Sequence, residues 1–131
     1  MSNMPGWASR DPLKLCPCVR AKWVEFVTRV QFAVVLIETL RDAERQAYYR
    51  AIGVSRTVKS KHLPQPPNGL SLAFDVCPKD YLRMKGWNPG GPLWSALSGY
   101  GVDAGLYWGG DWKTWKDRPH FYQEKCSCAQ G

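Results

Sequence analysis

The sequence predicts an α+β fold in which a small antiparallel sheet is flanked by helices. Helical and strand-like patterns are segregated along the chain rather than strictly alternating, and the strand-like runs are short. The 131 residues are 44% hydrophobic and 13% aromatic, which favours a packed globular chain over a disordered one. That length, without internal repeats or a linker, indicates one domain over residues 1–131.

Three segments carry helical signals. Residues 19–30 place apolar side chains at a helical spacing, and Pro17 precedes them where proline suits a helix start. Residues 41–51 are rich in helix-forming residues and run toward Gly53, a plausible C-terminal stop. Residues 92–100 predict a short third helix.

Strand signals are shorter. The β-branched run over residues 32–37 predicts a buried strand. Apolar and small or polar side chains alternate over residues 70–75, which predicts a strand that ends in Asp75. Residues 120–123 predict a last short strand, and the glycine- and tryptophan-rich residues 101–115 predict a loop.

The two histidines are the most informative residues of the chain. His62 lies in a polar, proline-rich segment that predicts a loop over residues 54–69, and His120 lies near the C-terminus. Two imidazoles and one carboxylate, such as Asp75, make a three-ligand zinc site with a position left open for water. A further carboxylate, Asp117, precedes His120 by three residues and could activate that water.

Simpler interpretations of these side chains stay open. Each histidine could be a hydrogen-bonded imidazole of the core or surface. Asp75 could cap a helix or form a salt bridge, although a buried unpaired carboxylate would cost several kcal/mol, which a metal would offset. Asp117 lies between two basic residues and could be a solvated loop residue.

Five separated motifs between about residues 30 and 123 follow a familiar order. In this sequence they are Glu38-Thr39-Leu40-Arg41 with Glu44-Arg45-Gln46, Ser60 with His62, Ala73 with Asp75, Trp108-Gly109-Gly110-Asp111-Trp112, and Asp117 with His120 and Phe121. Their order and residue types resemble the zinc peptidases of the D-Ala-D-Ala carboxypeptidase type. The branch that they resemble most is the phage L-alanyl-D-glutamate endolysins.

This resemblance implies a Hedgehog/DD-peptidase fold with Zn²⁺ as the cofactor. It makes His62, Asp75 and His120 the metal ligands. It makes Asp117 the general base toward water and then the general acid toward the leaving amine. It makes Arg41 the active-site arginine, which stabilises charge on the scissile carbonyl or holds a substrate carboxylate. The alternative for Arg41 is an exposed side chain paired with a nearby carboxylate.

Four further residues are assigned to substrate binding: Ser60, Trp108, Asp111 and Trp112. Ser60 could donate to a substrate carboxylate, and Asp111 could orient a ligating histidine, although either could simply close a turn. The tryptophans crowd into the motif half of the chain, where they could line a substrate groove or fill the core.

One departure from the family pattern is visible. His62 and Asp75 are thirteen residues apart, a longer spacing than the family usually has. The extra residues 63–68 are proline-rich, so they predict a loop that bulges between two ligands and alters the rim of the pocket.

The function that the resemblance implies is hydrolysis of peptidoglycan stem peptides, most simply at the L-Ala–D-Glu bond, by a phage-type endolysin in host cell lysis. A D-Ala-D-Ala carboxypeptidase of the same fold is an alternative. A non-catalytic, zinc-dependent domain that binds the cell wall is another. Replacement of Asp117 distinguishes the binding domain from the two hydrolases, because only a hydrolase needs that carboxylate for turnover.

The net charge of +7 implies attraction to polyanions. Acidic residues are interleaved with the basic ones and no basic stripe forms, so anionic cell-wall polymers, an outer-membrane surface or a merely solvated basic surface fit the charge as well as nucleic acid does. The resemblance implies a peptidoglycan stem peptide as the partner, and we expect no nucleic acid. A nucleic-acid binder would lose affinity steeply with salt. We expect the protein to be a monomer.

Residues 1–12 lack the charged start and apolar core of a secretion signal. The apolar run 32–37 is too short to cross a bilayer, so no stable membrane insertion is expected. We therefore expect synthesis in the host cytoplasm without a signal peptide. Action on the cell wall, in the periplasm, would follow holin-type release.

Five cysteines are present, and four of them form Cys-x-Cys pairs at Cys16/Cys18 and Cys126/Cys128. A bond within a pair would be strained, whereas a disulfide between the termini or a second zinc site is conceivable. Four-thiolate sites usually have wider spacing within a pair, so the sequence favours free thiols in a reducing cytoplasm.

Overall fold

The computed structural model of the protein describes residues 4–57 and 59–128. Within these ranges the chain forms three α-helices and four strands: α1 (Pro17–Arg29), β1 (Val34–Glu38), α2 (Ala43–Ala51), β2 (Ala73–Pro78), α3 (Pro92–Asp103), β3 (Tyr107–Trp108) and β4 (His120–Tyr122). Short 3₁₀ turns cover Pro12–Lys14, Lys79–Tyr81, Lys85–Trp87 and Gly109–Asp111. The predicted α+β class is confirmed.

The strands form one antiparallel sheet in the order β1-β2-β4-β3. Its central strands place Phe74 and Phe121 opposite each other, with ring centroids 5.8 Å apart. Phe26 of α1 packs on both rings, at 5.7 and 5.3 Å. All three phenylalanines are fully buried, so the hydrophobic core lies between this face of the sheet and the helices.

Helix α3 approaches the same core closely because it carries a glycine at the contact. A Cβ on Gly101 would overlap the ring of Phe121. Leu97, one turn earlier on α3, is fully buried in this cluster. The phenylalanine of β4 is thus enclosed between two helices, which fixes the position of its neighbour His120.

Side chains alternate between the two faces of a strand. Since Phe74 and Phe121 face the core, the adjacent residues Asp75 and His120 project from the opposite face, where they are direct cross-strand partners. An irregularity in β1 between Leu36 and Glu38 brings Glu38 opposite Asp75 on the other side. Three adjacent strands therefore carry a row of titratable side chains.

The predicted helix signals agree with the structure. Pro17 is the first residue of α1, and Gly53 follows α2 with a φ of 81°, a conformation that glycine adopts without strain. Asp42 caps α2, because its carboxylate accepts a hydrogen bond from the backbone N–H of Arg45 at 2.9 Å.

Two boundary predictions are wrong. Strand β2 does not end at Asp75 but continues to Pro78, because its second half pairs with β1 as far as Val34 opposite Pro78. Residues 101–115 are not all loop, since α3 extends to Asp103 and strand β3 follows it. Tertiary pairing and packing extend both elements beyond their local sequence signals.

Across the residues that the structure describes, no helix combines the length and the apolar character that crossing a bilayer requires.

Candidate metal centre

Three side chains that are distant in the sequence meet at one point on the open face of the sheet. Asp75 Oδ1 lies 3.0 Å from His62 Nε2 and 3.0 Å from His120 Nδ1. The two imidazole nitrogens are 3.2 Å apart. These residues form one of the clusters of potential ligand atoms in the described chain that could hold a metal ion.

The loop that carries His62 is fixed by main-chain hydrogen bonds on both sides. The carbonyl oxygen of His62 accepts a hydrogen bond from the backbone N–H of Arg41 at 3.0 Å. The carbonyl oxygen of Lys61 accepts one from the backbone N–H of Leu72 at 2.9 Å. The hydroxyl of Ser60 accepts from the backbone N–H of His62 at 3.1 Å. A loop thus presents the third ligand to the sheet with little freedom, and His62 is 1% exposed.

The hydrogen bonding of His62 determines which of its nitrogens faces the site. Its Nδ1 lies 2.6 Å from the carbonyl oxygen of Thr39, which can only accept, so Nδ1 carries a proton. In the neutral ring Nε2 then presents a lone pair toward Asp75 and His120. A carbonyl that holds the remote nitrogen of an imidazole in this way is the usual support of a metal-ligating histidine.

This donor set fits a zinc ion. Tetrahedral zinc with bonds of about 2.0–2.2 Å to nitrogen and oxygen places its ligand atoms roughly 3.3 Å from one another. The three measured separations are 3.0, 3.0 and 3.2 Å. A carboxylate and two imidazole nitrogens at such distances are held together either by a metal ion or by protons on the imidazoles that are donated to Asp75 Oδ1. The residues that could hold the metal are therefore His62, Asp75 and His120.

The carboxylate of Asp75 is held in its ionised form. Burial alone would raise its pKa, but the facing imidazoles of His62 and His120 outweigh burial and hold the pKa well below its usual range. The guanidinium of Arg41 lies 3.9 Å from Asp75 Oδ2. An anionic ligand is what a divalent cation requires at this point.

Arg41 is buried, so the alternative of an exposed arginine does not hold, although the pairing with Glu38 that it included is found. Nη2 donates to Glu38 Oε2 at 2.6 Å and Nη1 donates to Gln46 Oε1 at 2.8 Å. The guanidinium lies over the ring of Tyr49, 4.7 Å from its centroid. The side chain is 5% exposed and is therefore locked in one orientation.

Two features of this arginine cluster show how strongly it is desolvated. Burial raises the pKa of Glu38 despite the neighbouring charge of Arg41, so this carboxylate is strongly desolvated. The Nε of Arg41 is buried and has no hydrogen-bond partner among the described residues. A buried N–H without a partner costs about 1–3 kcal/mol, so this part of the arginine cluster is energetically unfavourable in the absence of a ligand.

Asp117 reaches the site on a segment that is folded closely against Gly109. The backbone N–H of Asp117 donates to the carbonyl oxygen of Gly109 at 3.0 Å, and His120 donates back to the carbonyl of Asp117 at 3.2 Å. A Cβ on Gly109 would lie 2.5 Å from the Asp117 carbonyl oxygen and 3.1 Å from the Cβ of His120. Only glycine leaves room for this arrangement.

The carboxyl of Asp117 has a pKa close to neutral pH. Burial, together with the negative charge of Asp75, raises the pKa of its carboxyl from 3.8 to about 7, against the opposing effects of His120 and Arg41. Asp117 is therefore not a fully solvated loop residue. A carboxyl with such a pKa can both accept and donate a proton near pH 7.

A cavity of about 870 Å³ opens over the cluster, a size typical of ligand sites. It is lined by the proposed ligands, by Asp117 and Arg41, and by three tryptophans together with cationic side chains. These further residues are Trp87, Trp112 and Trp115, and Arg56, Lys59 and Lys61.

The structure brings only part of the predicted substrate set to this cavity. Ser60 and Trp112 line it, and the indole of Trp112 lies 5.3 Å from the ring of His120. Trp108 and Asp111 are not among the described residues of the lining. Trp108 packs on Phe121 and donates its indole N–H to a main-chain carbonyl at 2.7 Å, and Asp111 is exposed at the end of a 3₁₀ turn.

Several residues at the site were not predicted from the sequence. Gln46 and Tyr49 orient Arg41, and Gly109 makes room for Asp117. The position of Gln46 could have been found from the sequence, because the Glu44-Arg45-Gln46 motif belongs to the same family segment as Arg41. No local pattern indicated Tyr49.

The fold is shared with a solved peptidase. The crystal structure of the Serratia marcescens L-Ala D-Glu endopeptidase ChiX superimposes with a TM-score of 0.62 over 85% of this chain and 81% of that chain. The two sequences are 24% identical, so this likeness is one of fold. Comparison with curated proteins finds no match.

The family is shown by the sequence itself. The family model of the D-alanyl-D-alanine carboxypeptidases matches residues 54–123, more than half of the chain. This region contains His62, Asp75, Asp117 and His120. The protein therefore belongs to this family of peptidases.

Proposed function

We propose that this protein is a zinc-dependent peptidase that hydrolyses the stem peptides of peptidoglycan. The observation that carries the proposal is the convergence of His62 Nε2, Asp75 Oδ1 and His120 Nδ1 within 3.0–3.2 Å, beside a carboxyl with a pKa of about 7. The family and the cavity of about 870 Å³ agree with a peptide substrate.

The bond that we propose is L-Ala–D-Glu. The shared fold with an endopeptidase of that specificity supports this choice. Stem peptides carry free carboxylates, and Arg56, Lys59 and Lys61 supply cationic groups on the cavity wall. Trp112 and Trp115 offer apolar faces against which the peptide backbone could lie.

When bound at His62, Asp75 and His120, a zinc ion would polarise the scissile carbonyl and lower the pKa of a water molecule to about 7. Asp117 would take the proton of the attacking water and then give it to the nitrogen of the leaving amine. Its pKa near neutrality suits both transfers.

Arg41 would stabilise negative charge that develops on the substrate carbonyl oxygen. Glu38 and Gln46 hold its two terminal nitrogens, so its charge is oriented before the substrate arrives. Ser60 would act through His62, because its hydroxyl accepts from the backbone of that loop.

The setting that we propose is lysis of a bacterial host by a phage. The protein would act as a monomeric endolysin, a single domain that reaches the cell wall after holin-type release. The motif resemblance to phage endolysins supports this setting.

The experiment is digestion of purified peptidoglycan with and without a chelator, followed by mass spectrometry of the products. We expect fragments with a new D-Glu amino terminus, no release after metal removal, and recovery on adding Zn²⁺. Release of free D-Ala instead would identify a D,D-carboxypeptidase. Binding to cell walls without any release would favour a non-catalytic binding domain and would overturn the proposal.

A matched pair of variants completes the design. Asp117→Asn removes the proton acceptor with almost no change in shape. Asp111→Asn makes the same chemical change at an exposed position outside the cavity. The first should lose product release and the second should keep it.

A further inference from the structure

A second cluster of potential metal ligands lies apart from the proposed catalytic residues. Cys16, Cys18, Cys126 and Cys128 place their sulfur atoms within 4.8 Å of one another, and none of them is in a disulfide. Cys16 Sγ is 3.5 Å from Cys18 Sγ, 3.4 Å from Cys126 Sγ and 3.6 Å from Cys128 Sγ. Two sequence-distant pairs thus meet at one point.

These separations match a metal tetrathiolate better than covalent pairing. A zinc ion with Zn–S bonds of about 2.3 Å places its four sulfurs roughly 3.8 Å apart. A disulfide would require about 2.05 Å. The spacing within each Cys-x-Cys pair is shorter than is usual for zinc, but each pair contributes two corners, and the two pairs approach from opposite ends of the chain.

Each of the sulfurs has an N–H donor beside it, as metal-bound thiolates commonly do. Every one of the four sulfurs accepts an N–H hydrogen bond, at 3.3 to 3.5 Å. The donors are the backbone N–H groups of Cys18, Ser127 and Cys128 and the side-chain amides of Asn68 and Gln123. Such bonds stabilise the negative charge that four deprotonated cysteines bring to a metal.

The backbone holds both pairs in place. Cys16 precedes α1, and its N–H donates to the carbonyl of Ser71 at 2.8 Å. Gln123 follows β4, and its N–H donates to the carbonyl of Leu72 at 2.9 Å. The two cysteine pairs are therefore anchored to consecutive residues just ahead of β2.

The cluster also touches the lengthened loop between two proposed ligands of the catalytic centre. The Asn68 side chain, at the end of the extra segment 63–68, donates to Cys16 Sγ at 3.5 Å. This contact gives the extra segment a structural partner.

We propose that Cys16, Cys18, Cys126 and Cys128 bind a structural Zn²⁺ ion that ties the two ends of the domain to the His62–Asp75 loop. Four thiolates select a soft or borderline cation, and zinc in a closed tetrahedral site has no position for water. Because the ligands are more than a hundred residues apart, the ion would close a long loop and stabilise the fold. This site is independent of the proposed catalytic one, since the two share no ligand.

The test uses the full chain with the catalytic ligands removed. A His62→Ala/His120→Ala variant, purified under reducing conditions, should retain one equivalent of zinc. Adding Cys126→Ser and Cys128→Ser to it should abolish that equivalent, whereas adding Cys77→Ala should not, because Cys77 is buried in the core away from the cluster. Retention of zinc by the variant without Cys126 and Cys128 would overturn the proposal.

A second measurement does not depend on the folding of the serine variant. X-ray absorption at the zinc edge of the His62→Ala/His120→Ala protein should show four sulfur neighbours at about 2.3 Å. Chelation should lower its melting temperature and make four thiols react faster with an alkylating reagent. Absence of zinc from this protein, nitrogen or oxygen neighbours in place of sulfur, or two disulfides under reducing conditions would each refute the site.

Discussion

Asp75 and His120 are direct cross-strand partners in the centre of the sheet, with Asp75 Oδ1 3.0 Å from His120 Nδ1. Their backbones are fixed by the ladder between β2 and β4, and the buried rings of Phe74 and Phe121 lock the register on the opposite face. Two proposed metal ligands therefore lie on paired strands at the centre of the sheet rather than on a loop. Rigid elements hold a site more accurately than loops do.

Asp75→Asn should weaken zinc binding at the catalytic centre by at least about tenfold, because an amide is neutral and a poorer ligand than a carboxylate. Zinc competition with a coloured chelator measures this change, in a chain that carries Cys126→Ser and Cys128→Ser so that the cysteine cluster does not contribute. Asp103→Asn, at the exposed end of α3, is the control. Equal affinities in the two variants would contradict the assignment of Asp75.

Asp117→Asn should lower kcat by about 100- to 10,000-fold, the usual contribution of general acid–base catalysis. Zinc content should stay unchanged, because Asp117 is not among the clustered ligand atoms. Steady-state kinetics on a synthetic stem peptide and metal analysis of the same sample test both parts. Loss of zinc together with activity would instead make Asp117 a ligand.

The raised pKa of Asp117 predicts a specific dependence of stability on pH. In the metal-free protein the folded state keeps the proton up to about pH 7, whereas the unfolded chain releases it near 3.8. The unfolded state then binds fewer protons, so the free energy of unfolding falls as the pH rises from about 4 to about 7. Urea unfolding at several pH values should show this decline, and Asp117→Asn should make it smaller, leaving the part that the raised pKa of Glu38 contributes.

Zinc should shift the same titration downward, because a nearby cation favours the carboxylate. Carbon NMR of the Asp117 side chain, with and without zinc, measures the shift. In the loaded enzyme, kcat/KM should rise with pH below that pKa and level off above it. A titration curve that does not move on adding zinc would place the metal elsewhere.

Gly109→Ala should lower activity by about 100-fold, because its Cβ would displace the segment that carries Asp117. Gly99→Ala is the matched control, since a Cβ there meets nothing within 4 Å and lies on exposed helix. The control should keep full activity and gain about 0.5–1 kcal/mol of stability from helix propensity. Assays of both variants at equal zinc content separate the two effects.

Arg41→Lys should cost about 1–3 kcal/mol in the free energy of unfolding, because a single ammonium cannot replace the fork that binds Glu38 and Gln46. It should also lower kcat. Arg29→Lys, at an exposed ion pair with Glu25, should change stability by less than about 0.5 kcal/mol. Equal destabilisation in the two variants would show that the two hydrogen bonds from the buried guanidinium to Glu38 and Gln46 do not contribute to stability.

Prediction from the sequence succeeded where the signal was local. The helical spacing with Pro17 predicted α1, and the apolar alternation predicted a strand around Phe74 and Asp75. It failed at the far end of β2, because the residues up to Pro78 are strand only through their pairing with β1. It also assigned Trp108 to the substrate, although packing places that indole on Phe121.

The sequence by itself determined the kinds of groups available: two histidines, well-spaced carboxylates and a family order of motifs that implied a zinc peptidase. Only the tertiary structure decided which groups meet. Sheet register sets Asp75 against His120, and main-chain hydrogen bonds bring His62 to them. It also gathers four cysteines from the two ends of the chain. The physical reason is that register, burial and long-range hydrogen bonds depend on residues far apart in the sequence, so no local pattern encodes them.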